Sequence, residues 1–214
     1  MRAVYFFLAG LAVTAGLSAL GPVPLAFADK SGPPTTYTKA SADGQYIFVM
    51  ISPNEVDAEL KLYNDEAAKK VRAIRAMYTR SGLYKNDGSK EPLWTVDWYA
   101  AGVLVPSDGV HLVRFQYMPF YKAPRGEPVD KEGLKTEGVT FFAKGKEIRK
   151  YQVADLIERP ELLTRSVVHY QWVKAPVLRD KEGQLEIVTL DGNRFVFELK
   201  TGEIVKKERA NPKE

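Results

Sequence analysis

Alternating aromatic residues in the middle of the chain could form a binding surface. Trp94, Val96 and Trp98 alternate with polar residues, and this period of two predicts a β-strand that carries both indoles on one face. Two indoles on one face could stack against sugar rings, and Tyr99 and Trp172 are further aromatic candidates for ligand binding. Tryptophans at alternate strand positions more often fill a core, because each indole buries a large apolar area. The sequence favours the core interpretation and keeps the ligand platform as its alternative.

A carboxylate within the same stretch suggests a second chemistry. Asp97 lies between Val96 and Trp98, and an apolar setting would raise the pKa of its carboxyl group, as general acid catalysis requires. The strand alternation instead groups Asp97 with Thr95 and Tyr99, on the face expected to contact solvent. Glycoside hydrolysis also needs a second carboxyl at a defined separation, and the sequence selects none among its 27 acidic residues. Asp97 is therefore a ligand-binding candidate, with hydrolysis as the alternative.

The residue types present argue against several other chemistries. The two histidines, His111 and His169, lie in predicted strands without a metal-ligand spacing such as His-Glu-x-x-His, and the sequence contains no cysteine. It also contains no Gly-x-Ser-x-Gly nucleophile elbow and no glycine-rich phosphate loop. We therefore predict no metal site and no cofactor, and the sequence does not favour enzymatic activity.

The N-terminal residues have the composition of a secretory signal peptide. Arg2 precedes an apolar run from Val4 to Leu20, and the small residues Ala26 and Ala28 match the requirement of signal peptidase. We predict that residues 1–28 are a signal peptide cleaved after Ala28, so that the protein is exported to the periplasm or the extracellular space. The alternative is an uncleaved membrane anchor, because an apolar run of about 17 residues is close to the shortest membrane span.

The net charge of the chain is modest. Arg2 is the single charged residue of the predicted leader, which leaves 30 basic and 27 acidic side chains, a net charge of +3. This charge is too small to indicate nucleic-acid binding, and the predicted compartment also argues against it. The cations of the stretch Lys69–Arg80 could contact anionic lipid headgroups or glycan phosphates, but the favoured explanation is the solvated face of a helix.

The rest of the chain divides into a spacer, one domain and a tail. Residues 29–40 are polar and contain Pro33-Pro34, which predicts a flexible spacer. Residues 41–207 are predicted to form a single β-rich domain, and residues 208–214 a tail.

One helix is expected within that domain. Ala67, Val71, Ile74 and Tyr78 fall on one helical stripe, which predicts an amphipathic helix over about residues 64–80. Elsewhere, runs of β-forming residues alternate with glycine-containing turns. The predicted fold class is mainly β, with antiparallel sheets in a propeller-like or sandwich arrangement.

A short unit recurs three times as an Asp-Gly turn followed by an aromatic strand, over residues 41–48, 107–113 and 190–197. A second echo pairs Phe141–Ile148 with Phe197–Ile204, each a predicted strand, glycine turn and strand. These segments resemble the WD40-like repeats of TolB-type β-propellers, in which a Ser-Pro-Asp-Gly turn leads into an aromatic strand. The resemblance implies blade-like antiparallel sheets.

A second resemblance concerns the stretch from Ser81 to Ala100, which is similar to segments of uncharacterised exported bacterial proteins. It supplies no activity. Because the sequence lacks catalytic motifs and carries aromatic binding candidates, we expect a non-catalytic binding or scaffolding module at the cell envelope. Its expected partner is a glycan or an envelope protein. Nucleic acid is not an expected partner, and a membrane is expected only through an uncleaved leader. The alternative is a secreted hydrolase acting on envelope or extracellular polysaccharide.

Overall fold

Antiparallel β-sheets dominate the computed structural model, which describes residues 34–61, 64–119, 129–166 and 169–210. The first sheet pairs four strands in chain order: β1 (Tyr37–Ala40), β2 (Tyr46–Met50), β3 (Gly82–Lys85) and β4 (Trp94–Thr95). The second sheet repeats this order with β5 (Val103–Leu104), β6 (His111–Phe115), β7 (Glu137–Ala143) and β8 (Lys146–Gln152).

A small two-stranded sheet and a third four-stranded sheet follow. The small sheet pairs β9 (Thr164–Arg165) with β10 (Tyr170–Gln171). The third large sheet contains β11 (Val177–Arg179), β12 (Gln184–Val188), β13 (Asn193–Glu198) and β14 (Ile204–Arg209), again in chain order. The predicted mainly-β class is confirmed, and the described residues form stacked sheets without a closed barrel.

The second echo of the sequence corresponds to equivalent hairpins in two sheets. Lys144-Gly145 connects β7 to β8, and Thr201-Gly202 connects β13 to β14. Each is the last hairpin of its sheet. The predicted strand–turn–strand structure of both segments is therefore confirmed.

Helical segments are short apart from one. They are α1 (Val56–Leu60), α2 (Asp65–Met77), α3 (Lys131–Leu134), α4 (Val153–Leu156) and a single 3₁₀ turn at Pro160–Leu162. No helix among the described residues is long and apolar enough to cross a membrane.

Helix α2 confirms the predicted amphipathic helix, although it ends at Met77, three residues before the predicted limit at residue 80. The Asn64 side chain accepts a hydrogen bond from the Ala67 N–H at 2.9 Å and caps the N-terminus. Asp65 and Glu66 in the first turn favour the positive end of the helix dipole. Beyond Met77 the backbone becomes extended.

Strands β6 and β7 of the second sheet are buried on both faces, whereas β8 is exposed. On β6, Leu112 points towards the first sheet and its neighbour Val113 towards the third. On β7, Phe142 points towards the first sheet and Phe141 towards the third, because successive side chains of a strand point to opposite faces. The three large sheets therefore stack face to face, with the second sheet in the middle.

The two ends of this stack are finished differently. Helix α2 covers the outer face of the first sheet, where Val49 and Tyr84 pack with Tyr78. The outer face of the third sheet is polar: Glu186 accepts bonds from Arg179 and lies 3.6 Å from the Arg194 guanidinium. A polar outer face ends a stack of sheets without leaving apolar surface in water.

The predicted limits of the domain shift at both ends. Strand β1 lies within the stretch that the sequence assigned to a flexible spacer, because its backbone pairs with β2 and Thr36 is buried beside it. At the other end, β14 continues to Arg209, two residues past the predicted boundary. The predicted leader, residues 1–28, lies outside the described residues.

Candidate functional site

Trp94 is a core residue that supports a turn. Strand β4 is shorter than the predicted strand and ends at Thr95, but Trp94 is buried in the layer between the first and second sheets. Its indole Nε1 donates a hydrogen bond of 3.1 Å to the carbonyl oxygen of Gly109. The Gly109 turn joins β5 to β6, so Trp94 links the two sheets.

Trp98 is half-buried, and its ring contacts the Arg114 guanidinium. Its ring centroid lies 4.8 Å from that of Phe142 and 6.3 Å from that of Phe48. The guanidinium carbon of Arg114 lies 4.5 Å from the Trp98 ring centroid. This distance is within the range of a cation–π interaction.

Glu137 holds the same guanidinium from another side. Arg114 Nε donates to Glu137 Oε1 at 2.7 Å, and Nη2 donates to Oε2 at 2.8 Å. This bidentate geometry fixes both planar groups. Among the described residues Arg114 Nη1 has no acceptor, and each carboxylate oxygen of Glu137 retains a lone pair. The pair therefore presents both a donor and acceptors.

Arg114 and Glu137 line a cavity of about 450 Å³ that also includes Tyr99. Its wall is completed by Ala100, Phe115, Gln116, Pro119 and Thr136. We call it the Arg114 cavity. The Tyr99 hydroxyl accepts from the Thr35 N–H at 2.8 Å and donates to the Thr35 carbonyl oxygen at 3.1 Å, so the ring is held in place.

An exposed aromatic residue adjoins this cavity in sequence. Tyr117 follows Gln116, its ring centroid lies 5.3 Å from that of Phe115, and 40% of its surface is exposed. Burial of the remainder raises the pKa of the Tyr117 phenol, so its hydroxyl keeps its proton and can donate at neutral pH.

Trp172 lies beneath the cavity and is inaccessible. It is fully buried in the layer between the second and third sheets, and its Nε1 donates to the Gln116 carbonyl oxygen at 2.7 Å. Trp172 therefore supports the backbone of a residue that lines the Arg114 cavity, and its ring cannot touch a ligand in this conformation.

Asp97 lies elsewhere on the surface. It is exposed and lines a different cavity of about 500 Å³, together with Trp94, Lys144 and Lys146. The five predicted binding residues therefore do not form one site. Tyr99 lines the Arg114 cavity and Trp98 underlies its arginine, whereas Trp94, Asp97 and Trp172 do not line it.

Hairpin turns from the three large sheets meet at one end of the stack. Asp43, Asp108 and Asp180 line a cleft of about 690 Å³ there. Ser107 connects them: its N–H donates to Asp180 Oδ1 at 2.9 Å, its hydroxyl donates to Asp180, and its hydroxyl oxygen accepts the Asp43 N–H at 3.3 Å. The Asp180 carboxylate therefore joins the third sheet to the second, and the Asp43 N–H joins the first sheet to the second.

His111 belongs to this junction. Its Nδ1 lies 2.5 Å from Asp108 Oδ2, while Asp108 Oδ1 accepts the backbone N–H groups of Val110 and His111. Partial burial raises the pKa of Asp108, but the His111 ring and these two N–H groups outweigh it and lower the pKa to about 2. Asp108 is therefore a permanent anion at neutral pH and unsuited to donate a proton.

The remaining polar clusters show no metal-binding geometry. Within residues 34–61, 64–119, 129–166 and 169–210, no group of three or more histidine and carboxylate side chains is arranged to hold a metal ion. His169 is buried, and its backbone N–H donates to the Ser166 hydroxyl oxygen at 3.1 Å.

Four residues in or beside the cavity were not predicted from the sequence: Arg114, Gln116, Tyr117 and Glu137. One signal was available for Arg114, because its side chain is a cation between Val113 and Phe115 in a predicted strand whose residues are mostly apolar or aromatic. Nothing in the sequence pairs it with Glu137, which lies 23 residues later.

Comparisons with known proteins add no functional assignment. The sequence matches no protein-family model, and a search of curated proteins finds no similar sequence.

Proposed function

We propose that this protein is a non-catalytic glycan-binding module of the cell envelope, and that the Arg114 cavity is its binding site. The observation that carries the proposal is the rigid Arg114–Glu137 pair, which is held by a bidentate ion pair and by the ring of Trp98. A site that is already rigid loses little conformational entropy when a ligand binds.

The chemistry of the lining suits a sugar. Neighbouring hydroxyl groups of a sugar both donate and accept hydrogen bonds, and the Arg114–Glu137 pair offers Nη1 as donor and carboxylate oxygens as acceptors. Apolar sugar faces pack on aromatic rings, and Tyr99 lines the cavity while Tyr117 is exposed beside Gln116. A few convergent polar groups with aromatic walls are typical of small-molecule sites.

Binding is favoured over hydrolysis at this site. Among the described residues that line the Arg114 cavity, Glu137 is the one carboxylate, and glycoside hydrolysis by the common mechanisms uses two. Both carboxylate oxygens of Glu137 are also engaged by Arg114. Placement at the cell envelope rests on the predicted leader.

The test follows binding and cleavage in the same samples. The chain from Asp29, which contains every described residue, is titrated with soluble fragments of envelope and extracellular polysaccharides. Tryptophan fluorescence reports binding, because Trp98 contacts Arg114, and reducing ends report hydrolysis. A saturable fluorescence change without new reducing ends supports the proposal. New reducing ends would instead identify a hydrolase, and no response to any polysaccharide would contradict glycan binding.

A matched pair of variants locates the site. Arg114→Met removes the cavity arginine, and Arg179→Met removes an arginine with a similar carboxylate partner, Glu186, on the outer face of the third sheet. We expect Arg114→Met to abolish the fluorescence response and Arg179→Met to retain it. Equal effects of the two substitutions would exclude the Arg114 cavity as the site.

A further inference from the structure

The exposed face of helix α2, together with Arg80 just beyond its end, carries more positive charge than the described residues neutralise. Lys69, Arg72 and Arg80 are exposed and form no ion pair among the described residues, and Lys70 has a solvent-exposed pair with Glu66. After Glu66 the sequence contains no acidic residue as far as Arg80. We call this surface the basic face.

Small side chains lie between these cations. Ala73 and Ala76 are exposed on α2, so no bulky group separates the helix backbone from a flat charged surface. Helix α2 buries Ala68 and Val71 against the protein instead. The basic face is thus available in full for an external contact.

The start of the domain is fastened beside the same helix. The Thr36 hydroxyl donates to Glu59 Oε2 at 3.0 Å, the Thr36 N–H donates to Glu59 Oε1, and Arg75 of α2 donates to Glu59 Oε2 from Nε at 2.8 Å. Pro34 lies two residues before Thr36, and its carbonyl oxygen accepts hydrogen bonds from the Ser52 and Asn54 side chains at 2.9 and 3.1 Å. Pro34 is therefore bonded to the same segment, Ser52 to Asn54, that Arg75 of α2 contacts through two carbonyl oxygens.

We infer that the basic face binds the anionic headgroups of a lipid bilayer. Charge complementarity supports this partner, because the basic face and anionic lipid headgroups carry opposite charges. In the alternative in which the leader stays uncleaved, the leader would reinforce this contact, since a stretch as long as residues 29–33 spans at most about 18 Å when fully extended. The inference is independent of glycan binding in the Arg114 cavity.

Vesicle binding tests the inference. The chain from Asp29 is mixed with vesicles of phosphatidylcholine alone or of phosphatidylcholine with phosphatidylglycerol, and bound protein is measured by co-sedimentation. We expect binding only to vesicles that contain phosphatidylglycerol, and we expect added salt to weaken it because exposed charges are screened. Equal binding to both vesicle types, or none to either, would overturn the inference.

Two charge-matched double variants then locate the surface. Lys69→Gln with Arg72→Gln should weaken binding about thirtyfold, since each cation near an anionic bilayer contributes about fivefold. Lys90→Gln with Lys200→Gln removes the same charge from exposed positions outside α2 and should retain binding. Circular dichroism verifies that both variants are folded. An equal loss in the two variants would show that net charge, and not the basic face, determines binding. Arg114→Met should bind vesicles normally, which separates this inference from the glycan proposal.

Discussion

The guanidinium carbon of Arg114 lies 4.5 Å from the ring centroid of Trp98. Trp98 belongs to the segment after β4 and Arg114 to β6, so this contact crosses from the first sheet to the second. It gives the half-buried tryptophan a role that neither sequence interpretation described. Trp98 is part of the packed layer on one side and orients a cavity-lining cation on the other.

Replacing Trp98 should weaken the glycan binding that we propose. In Trp98→Ala the Arg114 guanidinium loses its aromatic support, and a cation–π contact of this kind is worth between about twofold and thirtyfold in affinity. Trp98→Phe keeps a ring and should retain most of the affinity while losing the fluorescence signal. Calorimetric titration measures both variants without relying on tryptophan emission. Full affinity in a folded Trp98→Ala protein would contradict this role.

Trp172 should contribute to stability and not directly to ligand binding. Its ring is fully buried between two sheets, so Trp172→Ala should lower the free energy of unfolding by about 3–5 kcal/mol. Denaturant unfolding measures this loss. Trp172→Phe retains most of the buried ring, and its ligand affinity should stay close to that of the parent protein. A large loss of affinity in a stable Trp172→Phe variant would return Trp172 to the binding residues.

The buried ion pair between Glu59 of α1 and Arg75 of α2 should contribute far more to stability than the exposed Lys70–Glu66 pair of α2. Arg75→Met leaves the fully buried Glu59 carboxylate without its cation, which should cost about 3–5 kcal/mol of unfolding free energy. Lys70→Met breaks only the exposed pair with Glu66 and should cost about 0–1 kcal/mol. Urea unfolding of both variants gives the comparison. Similar losses would show that the Glu59 contacts with Thr36 suffice without Arg75.

Asp108 should make stability depend on pH in the acidic range. Its pKa falls from an ordinary 3.8 to about 2 in the folded protein, so the unfolded chain binds the proton more readily. The stabilisation is present above about pH 4 and is lost as the pH falls through 2. The free energy of unfolding should therefore change less over this range in Asp108→Asn. His111→Gln removes the ring but leaves the two backbone bonds, so its slope should be intermediate. Identical slopes in all three proteins would contradict this assignment.

Two glycines with similar backbone angles should respond differently to alanine. Gly44 and Gly109 have φ values of +72° and +69°, and both substitutions force a non-glycine residue into the left-handed region, at a cost of about 1–2 kcal/mol. At Gly109 an added Cβ would also lie 2.7 Å from Cζ of the Tyr46 ring, whereas at Gly44 no atom lies within 4 Å. Gly109→Ala should therefore be clearly the less stable variant in thermal unfolding. Equal melting temperatures would mean that Tyr46 moves aside freely.

Local features of the fold could be predicted because their causes lie within a few residues. The stripe of Val71 and Ile74 and the Asn64 cap determine α2, since helix periodicity and capping act over three or four positions. The hairpins at Gly145 and Gly202 follow in the same way from strand alternation interrupted by glycine.

Equivalence between repeats could not be predicted. Asp43-Gly44 and Asp108-Gly109 occupy the first hairpins of their sheets, but Asp191-Gly192 lies in the second hairpin of the third sheet. The corresponding first hairpin contains Asp180 and Gly183 instead. An Asp-Gly turn forms wherever two strands reverse, because its hydrogen bonds are local.

The sequence by itself determined the β-rich class, the single long helix and the hairpin turns, all of which depend on short-range patterns. The tertiary structure alone decided which residues form a cavity. Phe141 and Phe142 must point to opposite faces of β7, but their neighbours became known only from the stacking of the sheets. Arg114 and Glu137 likewise meet through the pairing of β6 with β7, although they lie 23 residues apart in the sequence. Such contacts arise from the packing of many side chains that are distant in sequence, and no local periodicity encodes them.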